Sequence, residues 1–443
     1  MYNFIFDINK CVGCQACAVA CSLENKTELP IFWRNVNTFN QFKHPEIQVF
    51  HNSLACNHCK EPLCMKNCPA SAYTRNNVTG IISHDAKKCI GCKYCTWACP
   101  YDAPKFNDKT KVIEKCTFCN HRIENGLKPA CANLCPTGAL DFEISSQKND
   151  FEQITGFTDI GISPAINFVT LRKDEPPKFS LVQDTENFNF ENQKTDKKIS
   201  AKNEISLIIF TLLTALLTGL YTSEIFGGFK LNHLMFLEIG VFGMLLSAIH
   251  LGKKLRAFRA VFNIGTSWLS REIFFYTIFI ALASLNFFVF DNNIIISYIT
   301  AFLGFATLFS IDMVYNIAIQ KKGLVLNSSN VFFTGILFWG LFTQNPVIYL
   351  SIGCLKTVLY IIKNFEEFKS FKLSKSLLLK SLRLDLLISF PFIFWLINWD
   401  SLYLVTVLSI FLGEVIDRIE YYNELQIITP NMQMQNDFKK QIS

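Results

Sequence analysis

The sequence lacks the marks of a nucleic-acid binder and of a secreted protein. A net charge of +6 is mild for 443 residues. Its Lys and Arg are scattered through short loops, with no long basic tract and no interleaving with aromatics. The ten residues before Cys11, MYNFIFDINK, include Asp7 and leave no room for a charged start, an apolar core and a cleavage site, so no cleavable signal is expected. Histidine is scarce. Beyond Ile205 only His233 and His250 occur, both in one apolar stretch. Two haems held by pairs of histidines from different helices are therefore excluded, and no haem is expected. The second half also lacks cysteine apart from Cys354, read as a small apolar residue, and its apolar stretches lack the polar faces of a soluble helical bundle.

What is present divides in two. The chain is too long for one compact core. Sixteen of the 17 cysteines lie between Cys11 and Cys135, whereas the hydrophobic half of the residues, with most of the 43 Phe, concentrates after Ser206. The expected organisation is a cysteine-rich domain over 1–180, a linker over 181–203, a membrane domain over 204–420 and a polar tail over 421–443.

The cysteines form four quartets. Cys11, Cys14, Cys17 and Cys21 are spaced C-x2-C-x2-C-x3-C, and Cys89, Cys92, Cys95 and Cys99 repeat this, followed by Pro100. Cys56, Cys59, Cys64 and Cys68 read C-x2-C-x4-C-x3-C before Pro69. Cys116, Cys119, Cys131 and Cys135 read C-x2-C-x11-C-x3-C before Pro136. The run C-x2-C-x2-C-x3-C-P is that of bacterial ferredoxins. Three thiolates at i, i+3 and i+6 of a tight loop can wrap three irons of a cubane, while the fourth points away to a neighbouring cluster. Gly13 and Gly91 are expected where the backbone passes close to the cluster. Structural zinc is the rival, but zinc ribbons use two separated CxxC pairs. Disulfides are disfavoured between i and i+3 cysteines of one loop. Four 4Fe–4S clusters on all sixteen cysteines are expected.

The run CNHCKEPLCMKNCPASAYTRNN…CIGCKYCTWACPYDAPKFN…KCTFCNHRIENGLKPACANLCPTGALDF, Cys56 to Phe142, resembles the electron-transfer subunit of dimethyl sulfoxide reductase and its relatives, over roughly residues 1–180. The resemblance implies an α+β ferredoxin-like domain and a nested pairing of quartets. Cys11, Cys14 and Cys17 would share a cluster with Cys135, and Cys116, Cys119 and Cys131 with Cys21. Cys56, Cys59 and Cys64 would take Cys99, and Cys89, Cys92 and Cys95 would take Cys68. Some relatives carry Trp at the position of Cys95 and hold a three-iron cluster; this chain keeps the cysteine. No molybdopterin-binding domain is present, so the substrate chemistry is expected on a separate molybdopterin-containing catalytic subunit.

From Asp174-Glu175-Pro176-Pro177 to Lys202 the chain reads as a solvated tether. Beyond it, about eight transmembrane helices are expected, near 204–226, 233–251, 272–291, 294–319, 331–345, 346–362, 384–399 and 401–417, forming an all-α membrane bundle. The loop cations, from Lys194, Lys197, Lys198 and Lys202 through Lys253, Lys254, Arg256, Arg259, Arg271, Lys321 and Lys322 to Lys363, Lys369, Lys372, Lys375, Lys380, Arg383, Arg418, Lys439 and Lys440, fall on one side. Only Lys230 falls on the other. Ionisable residues in or near the spans are His250, Glu272, Asp312, Lys356, Asp385, Glu414 and, nearer the other face, Glu238. Asp385 and Glu414 are expected as solvated helix caps and Lys356 as a snorkelling side chain.

The stretch SAIHLGKKLRAFRAVFNIGTSWLSRE, Ser247 to Glu272, resembles the second-to-third helix connection of the dimethyl sulfoxide reductase anchor subunit, which oxidises quinol. The resemblance implies that His250 and Glu272 bind menaquinol, and the nearby positive charge of Arg256 is expected to steady the semiquinone. The bland alternative is that His250 caps its helix and Glu272 pairs with Arg271 or Arg256. The expected function is an electron relay between menaquinol and the catalytic subunit in anaerobic respiration. Two alternatives stand beside it: the same relay run in reverse, as in sulfite dehydrogenase complexes, and a structural anchor without a quinone site. The expected location is the bacterial cytoplasmic membrane. Charge bias puts the cluster domain in the cytoplasm, and the resembled reductases put it outside.

Overall fold

A computed structural model describes residues 1–39, 50–144, 161–169, 199–316, 326–365, 375–384 and 390–425, with Phe157, Leu386, Thr429 and Pro430. For 375–377 and 390–403 it describes the backbone alone. Most of the expected linker and tail, with Lys194, Lys197, Lys198, Lys321, Lys322, Lys369, Lys372, Asp385, Lys439 and Lys440, lies outside the described residues. The chain divides into two compact units, with the break between Asp196 and Lys197.

The first unit is α+β. Strand β1 (Tyr2–Asp7) lies between β8 (Leu140–Ile144), antiparallel, and β9 (Ile166–Val169), parallel. Three hairpins lie between them in sequence: β2 (Asn35–Phe39) with β3 (Phe50–Leu54), β4 (Tyr73–Arg75) with β5 (Ile82–His84), and β6 (Lys105–Asn107) with β7 (Val112–Glu114). Five short helices carry cysteines or follow them: α1 (Ala16–Asn25), α2 (Leu63–Lys66), α3 (Tyr94–Ala98), α4 (Asn120–Ile123) and α5 (Ala130–Asn133). The alternation of β1 turns Phe4 and Phe6 into a core shared with Ile8, Phe118, Leu140, Ile166 and Phe168. Phe4 stacks on Phe118 at 4.1 Å between centroids.

The strand registers set which cysteines meet. Phe6 pairs with Leu140, so Cys11, five residues after the one, is carried towards Cys135, five residues before the other. Tyr73 pairs with His84, and the same offset brings Cys68 towards Cys89.

The second unit is all helical. It contains α6 (Ile205–Ile225), α7 (His233–Ile249), a 3-10 helix (Lys254–Val261), α8 (Trp268–Phe288), α9 (Ile294–Asn316), α10 (Val331–Phe342), α11 (Pro346–Lys363), α12 (Lys375–Leu384) and α13 (Phe390–Glu424). Among the described residues α6, α8, α9 and α11 are long and apolar enough to cross a membrane. The pair formed by α7 and the 3-10 helix, bent by 104°, makes up to five. Close approach is bought with small residues: a Cβ on Gly219 of α6 would come within 2.6 Å of the Phe338 Cβ on α10, and one on Gly304 of α9 within 2.9 Å of Thr218 on α6. The hydroxyls of Thr214, Thr218 and Thr222 donate to carbonyls one turn back, which satisfies them inside the apolar packing.

From Phe390 on, the expected spans 384–399 and 401–417 fall in one continuous helical run of 35 residues, α13. At 1.5 Å per residue that is about 52 Å, well beyond a hydrocarbon core of about 30 Å. It is not straight. Ser409 Oγ donates to the Leu386 carbonyl at 2.8 Å. A straight helix would hold Phe390 about 28 Å from Ser409, whereas the chain from Leu386 to Phe390 reaches about 14 Å at most. The run therefore bends sharply between Phe390 and Ser409. It ends at Glu424, past the expected boundary at 420.

Candidate functional site

Each quartet begins with the same backbone turn. The residue before the second cysteine has a left-handed conformation in all four: Gly13 (φ 68°), His58 (φ 44°), Gly91 (φ 71°) and Phe118 (φ 58°). Glycine adopts this freely, whereas a side chain there costs about 1–2 kcal/mol. His58 and Phe118 are both fully buried, so packing offsets that strain. The glycines thus answer a turn requirement common to the four loops rather than close passage alone.

One cavity is lined by Cys11, Cys14, Cys17 and Cys135 with Phe6, Val36 and Leu140. Another is lined by Cys56, Cys59, Cys64 and Cys99 with Pro62, Leu63, Ile82 and Pro100. The other eight cysteines also meet as two sets. Cys21 faces Cys131 and Cys119, and Cys116 faces Cys21 and Cys131. Cys92 faces Cys68 and Cys89, and Cys95 faces Cys92 and Cys68. All sixteen thiols are free of disulfides. Among the described residues no three Cys, His, Asp or Glu side chains close to single-ion distance. A tetrahedral zinc site with Zn–S bonds of about 2.3 Å needs that closeness. All-sulfur cages with apolar walls suit a cubane cluster.

Backbone amides point at several sulfurs: Phe118 to Cys116 Sγ (3.3 Å), Ala72 to Cys68 Sγ (3.3 Å), Gly91 to Cys89 Sγ (3.4 Å) and Leu140 to Cys135 Sγ (3.4 Å). Burial pushes most of these thiols up, Cys21 to about 12, so ligation by thiolate must release their protons. Burial also raises Cys135, but the amide of Leu140 and the Thr137 hydroxyl outweigh it and hold that thiol below its ordinary value.

The second candidate site is the connection between α7 and α8. His250 caps the C-terminus of α7 and is half-buried. Glu272 lies in the second turn of α8 and is 4 % exposed. The carboxylate of Glu272 makes no hydrogen bond or ion pair among the described residues. The Arg271 guanidinium is instead committed to the carbonyls of Ile264 (2.9 Å) and Gly265 (2.7 Å) and lies over Trp268. The cation facing Glu272 is Arg418 of α13, a residue that sequence reasoning placed among loop charges. Arg418 is 2 % exposed, donates to the Ser329 carbonyl at 3.0 Å and lies over the rings of Tyr315, Tyr421 and Tyr422. Arg256 sits half-buried on the 3-10 helix.

Two expectations for single residues are corrected. Lys356 does not snorkel and Glu414 is not a solvated cap. They pair at 2.7 Å with 0 % and 2 % of their side chains exposed, and Thr334 bonds both at 2.8 Å. Arg383, also counted as a loop charge, is fully buried. It pairs with Asp417 at 2.8 Å and lies over Tyr360, whose hydroxyl donates to Glu420 at 2.6 Å. Helix α13 is the reason: Glu414, Asp417, Glu420 and Glu424 recur at three and four residues and so line one face. That spacing was visible in the sequence, but its partners on α11 and α12 were not. Asp312 accepts from the amides of Val331 and Phe332 at 2.9 and 3.0 Å, capping the N-terminus of α10.

Residues 47–145 match the 4Fe-4S dicluster domain, and residues 200–352 match the DMSO reductase anchor subunit (DmsC). A tetrathionate reductase subunit of Salmonella typhimurium is 43% identical over 140 residues, 31% of this chain and 56% of the relative. A putative dimethyl sulfoxide reductase iron–sulfur subunit of Halobacterium salinarum is 38% identical, covering 32% of this chain and 65% of the relative. The sequence thus spans less than two thirds of those two relatives. A sulfite dehydrogenase subunit of Allochromatium vinosum is 32% identical over 198 residues, 38% of this chain and 82% of the relative. An anaerobic dimethyl sulfoxide reductase chain of Escherichia coli is 35% identical over 149 residues, 32% of this chain and 72% of the relative. With its cysteine quartets joined to an apolar helical unit, this protein belongs to the dimethyl sulfoxide reductase family of electron-transfer subunits, as a fusion of the iron–sulfur subunit with the membrane anchor subunit.

Proposed function

We propose that this chain relays electrons between menaquinol in the membrane and a separate molybdopterin-containing catalytic subunit. Its four 4Fe–4S clusters would be held by the sixteen cysteines in the nested pairing. The observation that carries the reading is the union, in one polypeptide, of cysteine cages with a helical membrane unit containing a buried carboxylate, Glu272, that makes no hydrogen bond or ion pair among the described residues. A bound cubane supplies storage for one electron without a proton. Quinol gives up two electrons and two protons, so the protein must take the protons itself. Neutral His250 accepts a hydrogen bond from one quinol hydroxyl and then its proton. Glu272 takes the second, and Arg418 opposite it balances the charge left behind. Pro62, Leu63, Ile82 and Pro100 give the cage of Cys56, Cys59, Cys64 and Cys99 an apolar wall.

Membranes holding the intact chain should carry about sixteen irons and as many acid-labile sulfides per chain, and a reduced menaquinone analogue should reduce those clusters. A zinc content near four with little iron would sink the cluster assignment. Full iron with no reduction by quinol would leave a structural anchor. The likeness to a sulfite dehydrogenase subunit supports the same parts run in reverse, from substrate to quinone.

We place the cluster unit on the cytoplasmic face. Lys253, Lys254, Arg256 and Arg259 gather in the connection that follows α7, which supports this by the charge rule. Arg383 and Arg418, being buried, no longer count towards it. Protease added to intact spheroplasts should leave the 181–203 segment uncut. Cleavage from outside would put the clusters beyond the membrane, as the resembled reductases have them.

A further inference from the structure

Two cations are buried among the cysteine cages. Arg34 is 1 % exposed. Its guanidinium donates to the carbonyl and hydroxyl of Ser53, both at 3.1 Å, and lies 4.7 Å over the Phe4 ring. Ser53 in turn meets Cys17 Sγ at 3.3 Å, and the Arg34 charge faces the Cys131 thiol. Cys17 lines one cage and Cys131 another, so Arg34 stands at the junction of two. Lys115 is 3 % exposed, with its ammonium on the carbonyls of Ile82 (2.5 Å) and Cys116 (2.8 Å). It faces Cys64 of the cage that Cys99 completes and Cys116 of the cage that Cys21 completes. Among the described residues the junction between the Cys99 cage and the Cys68 cage has no buried cation of this kind. Tyr73 fills it, buried, with its hydroxyl towards Cys95.

Neither cation has a carboxylate partner among the described residues. The groups facing Arg34 are thiols, those of Cys131, Cys17, Cys116 and Cys21. The two histidines facing Lys115 are held neutral, His58 and His84 both by burial and by Lys115 itself, His84 down to about 4. A buried cation with no anion nearby is costly. Four thiolates around each cluster would supply the missing negative charge.

We infer that Arg34 and Lys115 are tuning residues that raise the reduction potentials of the clusters beside them, most of all the one on Cys116, Cys119, Cys131 and Cys21, which both flank. Reduction adds one negative charge to a cluster. A fixed positive charge in a medium of low dielectric favours the reduced form, and the effect falls with distance. The cluster on Cys89, Cys92, Cys95 and Cys68, which has only Tyr73, receives no such help and is the weakest acceptor of the four. Electrons entering there run towards higher potential. This rests on the cluster assignment proposed above. Failure of that assignment appears as missing iron, whereas failure of the inference appears as unshifted potentials with iron complete.

The test is a redox titration followed by electron paramagnetic resonance on membranes holding the full chain. Arg34→Gln should lower the ratio of reduced to oxidised cluster at fixed poise about tenfold, or about 59 mV for one electron, at the two cages it joins. The Cys68 cage should not move. Lys115→Met should do the same at the Cys64 and Cys116 cages and spare the Cys11 cage. Arg34→Lys and Lys115→Arg should keep the parental potentials. Unchanged potentials in the charge-removing variants with iron complete, or equal shifts in all four clusters, would overturn the inference. Loss of iron in the charge-keeping variants as well would leave both residues a packing role and overturn it too.

Discussion

His250→Ala should lose quinol-dependent reduction of the clusters by about a hundredfold or more, while iron content and activity with an artificial dye donor stay at the parental level. The magnitude is that of removing a positioned proton acceptor. Assembly should survive, because His250 occupies the C-terminal cap of α7, where a lost side chain costs little helix packing. The competing account, in which the loop is merely stapled by Glu272 and Arg271, sits poorly with the geometry: Arg271 is committed to the Ile264 and Gly265 carbonyls, and the buried Glu272 makes no bond among the described residues. Glu272→Gln should slow the same step without loss of iron, since it removes a proton carrier and keeps the shape. If His250→Ala oxidises quinol near the parental rate, the pocket belongs elsewhere, with Asp312 or Lys356 next in line.

Cys64→Ser and Cys99→Ser should each cost the same cluster, leaving about twelve irons, although 35 residues separate them. Cys68→Ser should cost a different cluster, the one lost in Cys92→Ser. Sequence neighbours would predict the opposite, since Cys99 follows Cys95 by four residues and Cys68 follows Cys64 by four. The register of β4 on β5 decides between them. Pairing Tyr73 with His84 folds Cys68 back towards Cys89, and Cys99 lines the cavity of Cys56, Cys59 and Cys64. Spectra of the Cys99→Ser and Cys92→Ser variants should therefore lack different signals. A shared missing signal would mean that each quartet holds its own cluster.

Much of this protein was legible before any coordinates. Cysteines at i, i+3 and i+6 of one tight loop appear as a local spacing, as in the quartets from Cys11 and Cys89. Membrane helices must be long and apolar to satisfy their backbones in lipid, so α6, α8, α9 and α11 were visible as runs. The end of α7 was readable to within two residues because a cap is local, whereas α8 starts at Trp268, four residues before the expected start at 272. Less legible was the last segment, where one helical run bends back on itself through a bond between Ser409 and Leu386.

The sequence by itself determined the kinds of site: sixteen thiolates in iron-binding spacing, an apolar anchor, and a histidine and a glutamate at one helix connection. Only the tertiary structure decided which side chains meet. It set Glu414 against Lys356 and Arg383 against Asp417, turning expected surface charges into buried pairs, and it brought Arg418 to Glu272. It also set Arg34 between Cys17 and Cys131, almost a hundred residues from the latter. The physical reason is the range of the forces. Spacing along the sequence controls contacts within a turn or two, whereas a charge buried in low dielectric finds its partner through strand register and helix packing, which depend on the whole fold at once.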